Sequence, residues 1–130
     1  MSNNNPLANI MSKILQAEKI GKPEVHVAPY SKMNEKILTL MKEAGYVKDF
    51  ETQKEERGGK FIVKLAGKIN KCGVISPNFN VAKNKYEVYA KRYLPARDFG
   101  LIFVSTTSGI ITHDEAKAKN LGGRLIGYCY

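Results

Sequence analysis

Two amphipathic stripes, each closed by a glycine and each followed by a short β-prone run, confine the first half of this chain to an α-β-α-β-β order. The first stripe is Leu7, Ile10, Met11, Ile14 and Leu15, apolar residues three and four apart. Asn5 and Pro6 read as its N-cap and first helical position, and Gly21 as its terminator. Val25-His26-Val27-Ala28 reads as a strand halted by Pro29, with His26 on its exposed face. Ser31 caps a second helix, whose buried side is Ile37, Leu40, Met41 and Ala44 and whose end is Gly45. Two strands follow, Tyr46–Thr52 and Lys60–Ala66, joined by the hairpin loop Glu55-Glu56-Arg57-Gly58-Gly59. Gly67 marks a boundary, so residues 1–67 form an N-terminal α/β lobe.

Residues 68–130 read as a second lobe. Ile69 to Ile75 is apolar enough for a strand and meets a turn at Ser76-Pro77-Asn78. Tyr86 to Tyr93 fits a short helix or an irregular basic segment equally well. Leu101-Ile102-Phe103-Val104 is a continuous apolar run, hence a buried strand. Thr112-His113-Asp114-Glu115 is a capping box that opens a short helix through Lys119, with His113 expected at the surface. Gly122-Gly123 breaks that helix, and Leu125 to Tyr130 is a closing strand. The fold class is therefore α/β of the α+β type: an α-β-α-β-β lobe, then a mostly antiparallel sheet with a short helix.

Charge narrows the function. Lys plus Arg is 21 and Asp plus Glu is 12 in 130 residues, a net charge of +9. Such a chain gains free energy by displacing counterions from a polyanion, and nucleic acid is the usual one. The excess is uneven. Between Lys68 and Arg97 seven basic residues face a single acid, Glu87. The cations expected to attract phosphate are Lys68, Lys71, Lys83, Lys85, Lys91, Arg92 and Arg124.

Other classes are disfavoured. Cys72 and Cys129 form no CxxC pair and no zinc spacing, so no metal is expected and both read as small buried hydrophobes. Gly58-Gly59 lacks the lysine and the helix of a phosphate-cradling loop. No stretch approaches the roughly 18 apolar residues of a membrane span. Met1 to Pro6 shows no basic segment leading into an apolar run, so a cytoplasmic location is expected.

The segment most telling for chemistry is Ser105-Thr106-Thr107-Ser108-Gly109, expected as a loop between the buried strand and the capped helix. Four hydroxyl residues in a row have little packing reason to be there. Each supplies one donor and two acceptor lone pairs on a short side chain, suited to phosphate, ribose and base edges in a shallow RNA minor groove. A plain polar turn is the bland alternative. A serine nucleophile, Ser105 or Ser108, would need His113 as its base and lacks the G-x-S-x-G elbow. Tyr86 or Tyr93 could stack on a base, or sit in the core.

At this segment the chain becomes recognisable. Arg92-Tyr93-Leu94-Pro95-Ala96-Arg97-Asp98-Phe99-Gly100, Val104 to Gly109, Asp114-Glu115-Ala116 and Gly122-Gly123-Arg124-Leu125 follow in order. Upstream, Pro6-Leu7-Ala8-Asn9, Ser31-Lys32, Glu43-Ala44-Gly45-Tyr46 and Ile69 to Val74 fit the same pattern. The set closely resembles the eighth protein of the small ribosomal subunit, in its archaeal and eukaryotic branch, over nearly the whole chain. Arg124 departs from the glutamate that bacterial relatives carry after the double glycine, and Asn5 from the family's aspartate before proline.

The resemblance implies a two-lobe protein that binds an irregular helix in the central domain of small-subunit rRNA and supports subunit assembly. It implies central contacts from the hydroxyl segment, Ser105, Thr106 and Thr107 with Gly109 closing it; beside them the chain's own charge and aromatics lead us to expect Arg124, Lys83, Lys85, Arg92 and Tyr86. It implies backbone contacts from the first lobe at Asn9, Lys13, Ser31 and Lys32. Neighbouring small-subunit proteins would be further partners, with a monomer outside the ribosome, no cofactor and no catalysis. A free-standing RNA-binding translational regulator is the alternative.

Overall fold

The computed structural model of the chain describes residues 6–55, 58–75, 80–96 and 99–130. By its internal contacts the chain divides into two units, the first ending at Cys72 and the second running from Gly73 to Tyr130.

In the first unit the order is α1 (Pro6–Lys19), β1 (Glu24–Val27), α2 (Lys32–Glu43), β2 (Val47–Glu55) and β3 (Gly58–Leu65). The strands form one antiparallel sheet in the order β1-β3-β2. Both helices bury most of the stripes expected of them: Leu7, Ile10, Met11 and Ile14 from α1, Ile37, Leu40 and Met41 from α2, while Leu15 is only half-buried. Phe61 and Val63 of the central strand are buried as well, and each such side chain contributes about 1.5–3 kcal/mol on leaving water. Ser31 is the N-cap of α2, its Oγ accepting the Asn34 N–H at 3.0 Å.

Gly21 and Gly45 take positive φ after their helices. There the Lys22 N–H reaches Ala17 O, and the Tyr46 N–H reaches Met41 O, tying off the last carbonyls. Ala44, expected on the buried side, is the exposed C-cap residue instead. His26 is exposed, as its alternation with two valines suggests, and lies 3.4 Å from Glu24. The proposed cap Asn5 and the tip of the β2–β3 hairpin, Glu56-Arg57, lie outside the described residues, as does the Ser76-Pro77-Asn78 turn.

The second unit holds β5 (Asn80–Val81), α3 (Tyr86–Tyr93), β6 (Leu101–Thr106), β7 (Gly109–Thr112), α4 (His113–Ala118) and β8 (Gly123–Cys129), with β4 (Cys72–Val74) leading into it. The sheet runs β4-β8-β6-β7, and β5 also pairs with β8. Tyr86–Tyr93, ambiguous from sequence, is helical. Its core gathers Tyr86, Leu94, Ile102, Val104, Ile111, Ala116 and Leu125. Helix α4 is capped by Thr112, whose Oγ1 accepts the Glu115 N–H at 3.2 Å. It stops before the double glycine: Asn120 takes the left-handed position at φ 57°, and the Leu121 N–H bonds back to Ala116 O.

His113 corrects an expectation. It is buried, and its Nδ1 accepts the Ile102 N–H at 3.2 Å. A capping box fixes where a helix begins, not which of its first residues faces the core.

Cys72 and Cys129 are both buried free thiols. Burial, with Glu18 nearby, pushes the Cys72 thiol up to about 12, and its Sγ–H points at Met11 O, 3.5 Å away. The native protein at pH 8 is therefore expected to leave Cys72 unlabelled by a thiolate-seeking reagent for as long as it stays folded, with labelling switched on by denaturant. Mass spectrometry of the labelled peptide checks this, and rapid modification without denaturant would contradict it.

Candidate nucleic-acid interface

The hydroxyl row is not a loop. Ser105 and Thr106 end β6, Gly109 begins β7, and Thr106 pairs with Gly109, so only Thr107 and Ser108 turn the corner. Positive φ falls on Gly109, at 98°, and not on either turn residue. That combination fits an ordinary turn closed by a glycine bulge, which matches the twist of the two strands.

Thr106 holds the corner together. Its Oγ1 donates to Gly109 O at 2.9 Å and accepts the Ser108 N–H at 3.1 Å. One donor and one of its lone pairs are thus consumed inside the hairpin. Ser105, Thr107 and Ser108 are exposed, and their hydroxyls have no hydrogen-bond partner among the described residues. Three hydroxyls point to solvent from a scaffold that the fourth has fixed. Replacing Gly109 by alanine should destabilise the protein by about 1–2 kcal/mol through the left-handed backbone alone. There is no clash to add, because nothing lies within 4 Å of the new methyl. Denaturant titration measures this, and an unchanged midpoint would mean the turn relaxes freely.

Register puts a cation beside this row. Arg124 of β8 pairs with Ser105 on one side and with Asn80 of β5 on the other. The three exposed side chains therefore stand in line across one face of the sheet. Gly122 and Gly123 let the strands close up. A Cβ on Gly122 would meet Val81 O at 2.8 Å, and one on Gly123 would meet Ser105 O at 2.5 Å. The backbone N of Lys83 is 3.4 Å from that Gly122 position, so Lys83 follows directly at the edge. Lys85, at the N-cap of α3, is also exposed.

Two acids of this unit are occupied elsewhere, and Asp114 lies 3.6 Å from His113. Glu87 lies 3.7 Å from Lys117 and Glu115 lies 3.8 Å from Lys119. Lys83, Lys85 and Arg124 form no ion pair among the described residues. Arg124, unpaired among the described residues, stands beside Ser105, an arrangement that draws a phosphate backbone to hydrogen-bonding groups.

Other expected site residues are placed differently. Tyr86 is a core residue, 1% exposed, with its hydroxyl donating to Leu121 O at 2.8 Å, so it offers no ring for stacking. Tyr93 is half-buried against Tyr128 at 5.7 Å. Arg92 is exposed near the C-terminal end of α3, over the Tyr89 ring at 5.6 Å, rather than in the hydroxyl row. In the first unit Asn9 and Lys13 are exposed one turn apart on α1, and Lys32 is exposed beside the half-buried cap Ser31. Sequence reasoning missed Asn80 and the whole of β7. The apolar pair Ile110-Ile111 directly after Gly109 was that strand's one trace in the sequence, too short to announce it.

The comparisons agree on one family. The family described as "Ribosomal protein S8" matches residues 5–130. The chain is 48% identical over 124 residues to "Small ribosomal subunit protein uS8" of Archaeoglobus fulgidus, covering 95% of this chain and 96% of that one. It is 47% identical over 128 residues to the protein of the same name from Picrophilus torridus, covering 98% and 99%.

Proposed function

The chain belongs to the ribosomal protein S8 family, and from that premise we propose that the Ser105–Gly109 hairpin with Arg124 binds an irregular helix in the central domain of small-subunit rRNA. As a member of that family it is a structural protein of the small subunit, at work in the cytoplasmic ribosome and not an enzyme. Its partners are accordingly rRNA and neighbouring small-subunit proteins.

One observation carries the site: three outward hydroxyls, unpartnered among the described residues, stand on a closed hairpin that meets Arg124 at Ser105, and Arg124 makes no ion pair among those residues. Lys83, Lys85 and Arg124 hold phosphates, which positions the RNA without reading it. Ser105, Thr107 and Ser108 then donate to and accept from ribose hydroxyls and base edges, which only one local RNA shape satisfies together. Residues 68–130 are on this reading the RNA-binding lobe. Asn9, Lys13, Ser31 and Lys32 of residues 1–67 add contacts to the sugar-phosphate backbone, and pinning a folded helix in this way supports early assembly.

The catalytic alternative loses His113 as the base it called on. His113 spends its Nδ1 lone pair on the Ile102 N–H, which leaves the proton on Nε2 of the neutral ring.

Ultraviolet crosslinking of native small subunits, mapped to residues, tests the proposal. Nucleotide adducts should concentrate on the peptide that carries Ser105 to Gly109. Adducts confined to other peptides would remove the hairpin from the interface.

A further inference from the structure

We propose that the cleft between α2 and β2 in the first unit binds a ribonucleoside phosphate, a site separate from the hydroxyl hairpin and independent of its assignment. Two stripes face one another there. Lys32, Glu35, Lys36 and Thr39 recur three and four apart on α2, and Phe50, Thr52 and Lys54 alternate on β2. Between them lies an open cleft of about 550 Å³, large enough for a ligand of nucleotide size.

Each part of such a ligand has a counterpart. Lys32, Lys36 and Lys54 are exposed, and none makes an ion pair among the described residues. Three ammonium groups around one cleft outnumber the single Glu35 carboxylate among them, so the cleft keeps a surplus of positive charge that favours an anion. Lys54 is held in place over the Tyr30 ring, 5.1 Å from its centroid. Tyr30 is in turn fixed by its N–H to Gly59 O at 3.0 Å and by packing on Phe61 at 5.5 Å.

Glu35 is the feature that a bare phosphate site would not carry. It is half-buried within the ring of lysines, and its Oε2 accepts the Thr52 hydroxyl at 3.1 Å. A carboxylate there opposes an isolated phosphate but gives a ribose hydroxyl a charge-assisted acceptor. Phe50, half-buried and set edge-on against Phe61 at 6.0 Å, supplies the aromatic surface for a base. Phosphate, ribose and base are thus matched by cations, carboxylate and ring.

Magnetic resonance titration of the full chain tests this with five probes: AMP, 2′-deoxy-AMP, inorganic phosphate, an unstructured oligoadenylate and its deoxy counterpart. AMP or the oligomer is expected to shift the signals of Tyr30, Glu35, Phe50, Thr52 and Lys54, with 2′-deoxy-AMP or the deoxy-oligomer roughly tenfold weaker. Binding by AMP assigns the site to a free nucleotide, whereas binding by the oligomer alone assigns it to a nucleotide within RNA. Glu35→Gln, which keeps an acceptor for Thr52, should abolish the ribose preference and leave the affinity for inorganic phosphate undiminished. Equal affinity for AMP, deoxy-AMP and phosphate, persistence of the preference in Glu35→Gln, or shifts confined to other residues would each overturn the inference. Binding of rRNA through the hairpin is measured separately and should be untouched by Glu35→Gln.

Discussion

With Ser105 changed to alanine and Thr107 to valine, affinity for the cognate small-subunit rRNA fragment is expected to fall by about 2–3 kcal/mol, on the order of a hundredfold. The reason lies in what the two exchanges leave behind. Ser105 projects from the end of β6 and Thr107 from the turn, and the hydrogen bonds that close the turn belong to Thr106, so the hairpin survives while the RNA groups facing it lose their partners. Desolvated polar groups without partners cost more than the bonds were worth, about 1–3 kcal/mol each. Lys83, Lys85 and Arg124 remain, so the dependence of affinity on salt should keep its slope. Filter binding across a salt series measures both quantities. A drop confined to the slope would shift recognition onto the cations, and an unchanged affinity would take the hairpin out of the interface.

Gly123→Val should have the largest effect on the fold itself, about 3 kcal/mol of destabilisation. The position has no room: a Cβ there would lie 2.5 Å from Ser105 O, 2.7 Å from Val104 Cγ1 and 2.9 Å from Thr106 Cγ2. Ser105 O belongs to the backbone and cannot swing aside, so β6 and β8 must part where Arg124 pairs with Ser105. Stability and RNA binding should therefore fail together, unlike in the hydroxyl variant, where only binding fails. Gly45→Ala is the useful contrast. Its methyl meets nothing within 4 Å, and only the backbone strain of φ 85° remains. Thermal melts of the two variants side by side decide the matter, and equal losses would mean that contact with Ser105 plays no part.

Much of this was legible in the sequence because its causes are local. The stripes of α1 and α2, their glycine stops and the Thr112 cap are written within a few residues of where they act. What stayed hidden depends on the partner strand. Asn80-Val81 has no pattern of its own and becomes β5 only because Gly122-Gly123 admits its backbone. Ile110-Ile111 is too short to announce β7, so the hydroxyl row looked like a loop. Tyr86 and Tyr93 are seven residues apart on one helix, and only the fold puts the first in the core and the second at its margin.

The roles within the hydroxyl row were likewise beyond reach of the sequence. Four similar side chains in succession suggest four similar contacts. Geometry separates them, since only Thr106 is placed to bridge Gly109 O and the Ser108 N–H. Residue type announced the chemistry, and register assigned it.

That internal bridge affects how docking proceeds. A soft loop would have to be frozen by its partner at a cost of about 0.5–1.5 kcal/mol for each rotamer-rich side chain immobilised. Here the hairpin is set as soon as β6 meets β7, so little of that entropic loss remains for the encounter itself. The same early setting makes the protein a poor adapter. On the function proposed above, a die already cut would reject RNA of a slightly different contour instead of yielding to it, and discrimination would come from its unwillingness to bend.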